Sequence, residues 1–114
     1  MKIQVNTDVH IEGREALSAR VSTAVEHALQ RFQDQVTRVE VHLSDQNGDK
    51  SGQQDKRCVM EARLEGRQPI AATDDAATLD QAVRGAADKL ARLIDSQLGR
   101  VASSDRSPVK PAAE

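Results

Sequence analysis

An α+β fold of order β-α-β-β-β-α, with one four-stranded sheet and two helices packed on one of its faces, is what this sequence predicts. Three observations predict it. Four short segments alternate apolar and polar residues with a period of two, and two long ones repeat apolar residues at three- and four-residue steps. Each segment has a single apolar face, so sheet and helices must bury those faces against each other.

Lys2 to Thr7 alternates, with Ile3 and Val5 on one face and Lys2, Gln4 and Asn6 on the other, as a half-buried strand does. From Gly13 to Phe32, Leu17, Val21, Val25, Ala28, Leu29 and Phe32 form one helical stripe. Glu15 stands near the start of that helix, where its charge suits the helix dipole. Val36 to Ser44 alternates again, Val39, Val41 and Leu43 against Arg38, Glu40 and His42. Asp45 to Lys56 is polar, contains two glycines, and reads as a mobile loop between strands. Arg57 to Glu65 is the third strand, with Cys58, Met60, Ala62 and Leu64 inward and Arg57, Glu61, Arg63 and Glu65 outward.

Gly66-Arg67-Gln68 is a turn, and Pro69 to Thr73 a short fourth strand that begins where proline is tolerated. Asp74 and Asp75 fit the N-cap and first turn of a second helix, Ala76 to Leu98, with Leu79, Val83, Ala86, Leu90, Leu93 and Ile94 on its buried side. Gly99 fits its C-terminal stop. The expected organisation is a single domain over residues 1–99 and a disordered tail over 100–114, rich in Ser and Ala and holding two prolines.

Composition narrows the function. Sixteen Lys and Arg against eighteen Asp and Glu give a net charge of −2, which excludes a broadly basic nucleic-acid binder but not a local basic patch. No apolar run approaches the ~20 residues of a membrane span, and MKIQVNTDVH alternates where a signal peptide would be apolar. The single cysteine, Cys58, fits a reducing compartment, and the expected location is the cytoplasm.

No catalytic or metal constellation is visible, and the expectation is a protein that is not an enzyme and carries no cofactor or metal. His10, His27 and His42 fall on three different elements, none at a metal-ligand spacing. Cys58 alternates in phase with the apolar residues of its strand and reads as a small buried hydrophobe. The loop from Asp45 to Lys56 superficially resembles a calcium loop. Its glycine, however, stands at the fourth position instead of the sixth, and Lys56 occupies the place of the bidentate Glu. Phe32 is the single aromatic and lies on a helix, so a sheet that stacks bases is excluded.

The basic residues admit two readings. Arg20, His27 and Arg31 share one flank of the first helix, and Lys89 and Arg92 a flank of the second. Side by side, the helices would join them into a modest electropositive strip suited to an RNA backbone. Against this, Asp80, Arg84, Asp88 and Arg92 alternate in sign at four-residue steps, a self-neutralising ladder. Charges alone favour the ladder and leave the strip open.

The run from Asp74, DDAATLDQAVRGAADKLARL, resembles the segment that opens the last helix of the ribosome hibernation promoting factors and ribosome-associated inhibitors, the sigma-54 modulation protein family. Asp88-Lys89-Leu90-Ala91-Arg92-Leu93 matches that family's "DKLxRQL"-like run, and EALSARVSTAVEHALQRF from Glu15 is similar in apolar phasing to its first helix. Cys58 to Gly66 fits its third strand and turn. The likeness spans about residues 1–98, and β-α-β-β-β-α is the family's order. It implies a bacterial stress-response factor that binds the small ribosomal subunit in the channel for messenger and transfer RNA, touching ribosomal RNA and inhibiting translation by occlusion. DNA and membrane are not implied partners.

Carried over, Lys89 and Arg92 match basic positions of the last helix, and Arg20, Arg31 and His27 are nearby candidates for rRNA binding. The chain departs from the pattern at Asp95-Ser96-Gln97-Leu98, where the family is lysine-rich, and at Ala24 and His27, where its first helix carries lysines. Without a second, dimerising domain the chain resembles a short form. The alternative function, motivated by the acidic balance, is a diverged member acting as a protein-binding module through its outward sheet face or an unpaired sheet edge.

Overall fold

The computed structural model of the chain describes residues 1–7, 14–45 and 56–106, with backbone alone for Arg14 and for 100–106. Its elements run β1 (Lys2–Thr7), α1 (Arg14–Ala28), a 3-10 turn (Gln30–Phe32), β2 (Val36–Asp45), β3 (Lys56–Leu64), β4 (Ile70–Ala76) and α2 (Leu79–Arg106). The sheet order is β1-β2-β3-β4. β1 pairs parallel with β2 from Lys2↔Arg38 to Thr7↔Leu43, and β2–β3 and β3–β4 are antiparallel. The α+β class and the order β-α-β-β-β-α are as expected.

Alternation decides which side of the sheet is covered. Val39, Val41, Leu43, Cys58, Met60, Ala62, Ile70, Ala72 and Ala76 point to one face and are buried, beneath Leu17, Val21 and Val25 of α1, Leu29 just past its end, and Val83, Ala86, Leu90 and Ile94 of α2. The core is aliphatic, with Phe32 at its margin. Burying these side chains is the main force holding the layers together. Leu93, expected inside, is 43% exposed. It lies on the flank of a stripe whose centre is set by Ala86, Leu90 and Ile94.

The other sheet face is open and charged. Arg38 stands opposite Arg63 and Glu40 opposite Glu61, so like charges meet across the strands. The compensation runs along them: Arg38 Nε lies 3.0 Å from Glu40, Arg63 3.9 Å from Glu61, and His42 Nε2 3.7 Å from Glu40. Arg38 also donates to the Gln4 side chain. Between β3 and β4, Gly66 adopts φ +73°, a left-handed conformation that glycine accommodates without a steric penalty.

Two expectations about α2 are corrected. Asp74 and Asp75 do not open the helix; they belong to β4, which continues to Ala76. Asp75 is held on the open face by Arg57 in a bidentate contact of 2.8 and 3.3 Å, while Cys58↔Asp74 keeps the ladder in register. The helix is capped by Thr78, whose Oγ1 accepts from Gln81 N–H at 3.1 Å. Nor does Gly99 end α2, whose backbone stays helical to Arg106. Gly99 faces open space and has no positive φ, so it is an ordinary helical residue here, at a cost of about 1 kcal/mol relative to alanine. The first helix also ends sooner than expected, at Ala28, its last turn tightening into the 3-10 segment. His10, Gly13, the loop residues 46–55 and the tail residues 107–114 lie outside the described residues.

Candidate functional site

Both helices run over the same face of the sheet and touch each other. Small side chains at the contact leave an open groove between them. Val21, Ala24, Ala28, Val83 and Ala87 line its apolar part, and Arg20, His27, Asp80, Arg84 and Asp88 its polar rim. One ion pair ties the helices across this groove, Arg20 Nε lying 3.5 Å from Asp80, and a second, beyond it, joins Arg31 of the 3-10 turn to Asp95 of α2 at 4.0 Å. Fifteen residues of α2 separate the two acids, about 22 Å along the axis at 1.5 Å per residue. Arg31 further stacks its guanidinium 4.7 Å from the centre of the Phe32 ring.

The five predicted contact residues therefore do not form one strip. Arg20 and His27 stand on the groove, and Arg31 lies beyond it on the 3-10 turn. Arg92 is exposed on the outer side of α2 and donates to Asp88 one turn earlier at 2.6 Å. Lys89 turns the other way, toward the sheet edge. Its ammonium sits 2.8 Å from Asp74 Oδ1 and donates to the Thr73 carbonyl in β4 at 3.1 Å.

Gly85 makes that last arrangement possible. It is one turn ahead of Lys89, and the Asp74 carboxylate lies directly against its Cα; a Cβ at this position would overlap both Oδ2 and Cγ of Asp74. The acid thus reaches under the Lys89 side chain while β4 holds its backbone in place.

Only part of the expected ladder on α2 forms. Asp88 and Arg92 pair, but Asp80 is taken by Arg20 of the other helix. Arg84 is consequently left on the groove rim with no ion pair among the described residues. Sequence reasoning placed it in the ladder; the signal that would have released it is the presence of Arg20 on a facing helix. The four Lys and Arg among the predicted contact residues each carry a carboxylate partner, so the helix layer has abundant basic groups and little net positive charge.

No group of three His, Cys, Asp or Glu among the described residues is placed to hold a metal. Cys58 is fully buried, and desolvation, with a smaller contribution from the Asp74 carboxylate, pushes its thiol up to about 12. It is a core side chain, not a nucleophile. None of the described helices is long and apolar enough to cross a membrane.

The fold has solved relatives. The N-terminal domain of Protein Y from Thermus thermophilus, 23% identical, superposes with a TM-score of 0.67 and covers 85% of this chain and 99% of its own. A ribosomal subunit interface protein from Coxiella burnetii, 18% identical, gives a TM-score of 0.55 over 90% of this chain and 98% of that one. At these identities the likeness is one of architecture. No curated protein matches the chain. The family model for the sigma 54 modulation protein / S30EA ribosomal protein matches residues 3–102, from β1 well into α2, and the chain belongs to that family.

Proposed function

We propose that this protein is a ribosome-associated factor that inhibits translation during hibernation by occupying the messenger and transfer RNA channel of the small subunit. The family match over residues 3–102 carries the reading. One feature of the geometry supports it: Arg20, His27 and Arg84 stand on the groove between the helices and Arg92 is exposed on α2, so the helix layer carries cationic groups that an RNA backbone could reach, while Lys89 extends from α2 to the β4 edge. Such a factor works by occupancy in the cytoplasm, catalyses nothing and needs no cofactor.

The test is co-sedimentation with small subunits and whole ribosomes over a salt series. Retention near physiological salt, weakening as salt rises, is expected of a phosphate-contacting protein. Lys89→Glu together with Arg92→Glu is expected to abolish co-sedimentation while the domain still unfolds cooperatively, at a Tm lowered by the loss of the pairs with Asp74 and Asp88. Absence of binding at low salt refutes the proposal.

The pairing of four candidate cations with carboxylates favours a second reading, a diverged member that binds a protein. In that case nuclease-treated, ribosome-depleted lysate yields a stoichiometric protein partner, and ribosomes are not retained.

A further inference from the structure

We infer that Asp74, Asp88 and Asp95 are built-in competitors for phosphate, setting how strongly and how selectively the helix layer accepts RNA. This rests on the ribosome-binding reading and adds residues to it that are acidic, not basic. Each lies against a candidate contact: Asp74 2.8 Å from Lys89, Asp88 2.6 Å from Arg92 and Asp95 4.0 Å from Arg31. A carboxylate at these distances fills the place a phosphate oxygen would take, since both present anionic acceptors to the same donors. Entry of RNA on these side chains is therefore an exchange of one anion for another.

Exchange has two consequences. A cation already neutralised by a carboxylate releases few counterions when phosphate arrives, so the salt dependence of binding is shallower than the count of basic residues implies. A neutral pair also exerts little attraction at long range. Loosely held anions then gain little from the surface, whereas phosphates fixed at the right spacing can displace the acids.

The three competitors are not equal. Asp74 is the most strongly preset: its side chain is only 22% exposed, its backbone is fixed in β4, and Gly85 leaves it room beside the helix. Lys89 has three ammonium donors, two of them engaged by Asp74 and the Thr73 carbonyl. Asp88 stands one turn from Arg92 on an exposed helix face, and Asp95 is at the limit of an ion pair, so both yield more readily.

The experiment compares the full chain with an Asp74→Asn, Asp88→Asn, Asp95→Asn variant and a charge-matched control, Glu26→Gln, Asp34→Asn, Glu65→Gln. The control acids are exposed and have no ion pair among the described residues. Each set shifts the net charge from −2 to +1, because three acids become amides. Binding to purified small subunits is measured between 50 and 200 mM salt, after thermal melts establish that all three proteins fold. Three freed cations are expected to steepen the affinity loss over this fourfold range by up to about 20–40-fold, and to tighten binding at the low-salt end. The control is expected to change little.

The same response in variant and control overturns the inference, as does unchanged affinity in the variant; neither touches the proposed function if the native chain binds. Binding by the variant but not by the native chain upholds the competitor role and refutes hibernation for the native sequence. Binding by neither refutes both.

Discussion

Replacing Gly85 with alanine tests the contact that positions Asp74. In an ordinary helix interior the change stabilises by about 0.8–1.0 kcal/mol, because glycine sacrifices more backbone freedom. Here the new Cβ overlaps both Oδ2 and Cγ of Asp74. Rotating the carboxylate about its last bond cannot relieve an overlap with Cγ, so the whole side chain must swing away from β4's covered face. Overpacking of this kind costs typically ~1–3 kcal/mol, and the exposed-side Lys89 pair, worth ~0.2–1 kcal/mol, is lost with it. The sum is a net destabilisation of about 0.2–3 kcal/mol, each kcal/mol being worth roughly 4–8 °C in Tm for a chain of this size.

The decisive comparison is with Asp74→Ala, which removes every atom that the new Cβ would meet. In that background Gly85→Ala is expected to stabilise by about 1 kcal/mol, so the double-mutant cycle gives a coupling near 2 kcal/mol with a reversal of sign. Urea unfolding of the four proteins measures it. If Gly85→Ala stabilises both backgrounds equally, the close approach of Asp74 to α2 is wrong.

Three further outcomes are expected. Burial raises the Cys58 thiol to about 12, so the native state holds its proton longer than the unfolded chain. The resulting stability is present below the ordinary thiol value and is lost as pH climbs above about 8.5, by at most ~1.4 kcal/mol per unit. Urea midpoints at pH 8, 9 and 10 should fall accordingly, Cys58→Ala should flatten the trend, and native protein should resist thiol reagents. A hydrogen-bonded and charged Arg57 guanidinium holds the Asp75 carboxyl below its usual value, so that contribution is present above about pH 4 and lost as pH falls through the lowered value. NMR titration should place Asp75 below ordinary aspartates, and Arg57→Gln should return it to them. Leu90 is fully buried beneath α2, and Leu90→Ala should cost about 2–5 kcal/mol in urea unfolding; a cost under 1 kcal/mol would place the helix stripe elsewhere.

The strands and helices were legible wherever large apolar residues kept a period. Val39-Val41-Leu43 and Cys58-Met60-Ala62 point inward as their alternation requires. The boundary between β4 and α2 was not legible from the same pattern. Ala71, Ala72, Ala76 and Ala77 carry no pattern of large apolar side chains and favour helix by propensity, and two aspartates before a helix look like its cap. The competing sign was Thr78 followed by Gln81, a capping-box spacing three residues further on. Asp74 is in β4 because its charge is satisfied by Lys89 from another element, a contact that local propensity does not encode.

The candidate site was legible as a set of residues and not as an arrangement. Helical phase alone puts Lys89 beside Gly85, yet which neighbour lies under that flank depends on where β4 sits. Likewise the ladder Asp80-Arg84-Asp88-Arg92 describes one helix in isolation. Packing α1 against it gives Asp80 a partner 60 residues earlier in the chain, Arg20, and redistributes the ion pairs along the rim.

The pairing of the first strand has a consequence for the order in which the fold assembles. β2, β3, β4 and α2 are neighbours in sequence as well as in space, so they can form as one unit by short-range closures. Among the described residues β1 pairs with one strand, β2, and its first residue finds that partner only at Arg38, after an intervening helix. The N-terminal strand is synthesised first but can be zipped into the sheet only after its neighbour exists. Its edge position and parallel pairing make this junction the seam of the domain, the place where thermal opening would begin and where the chain would come apart without disturbing the antiparallel meander beside it.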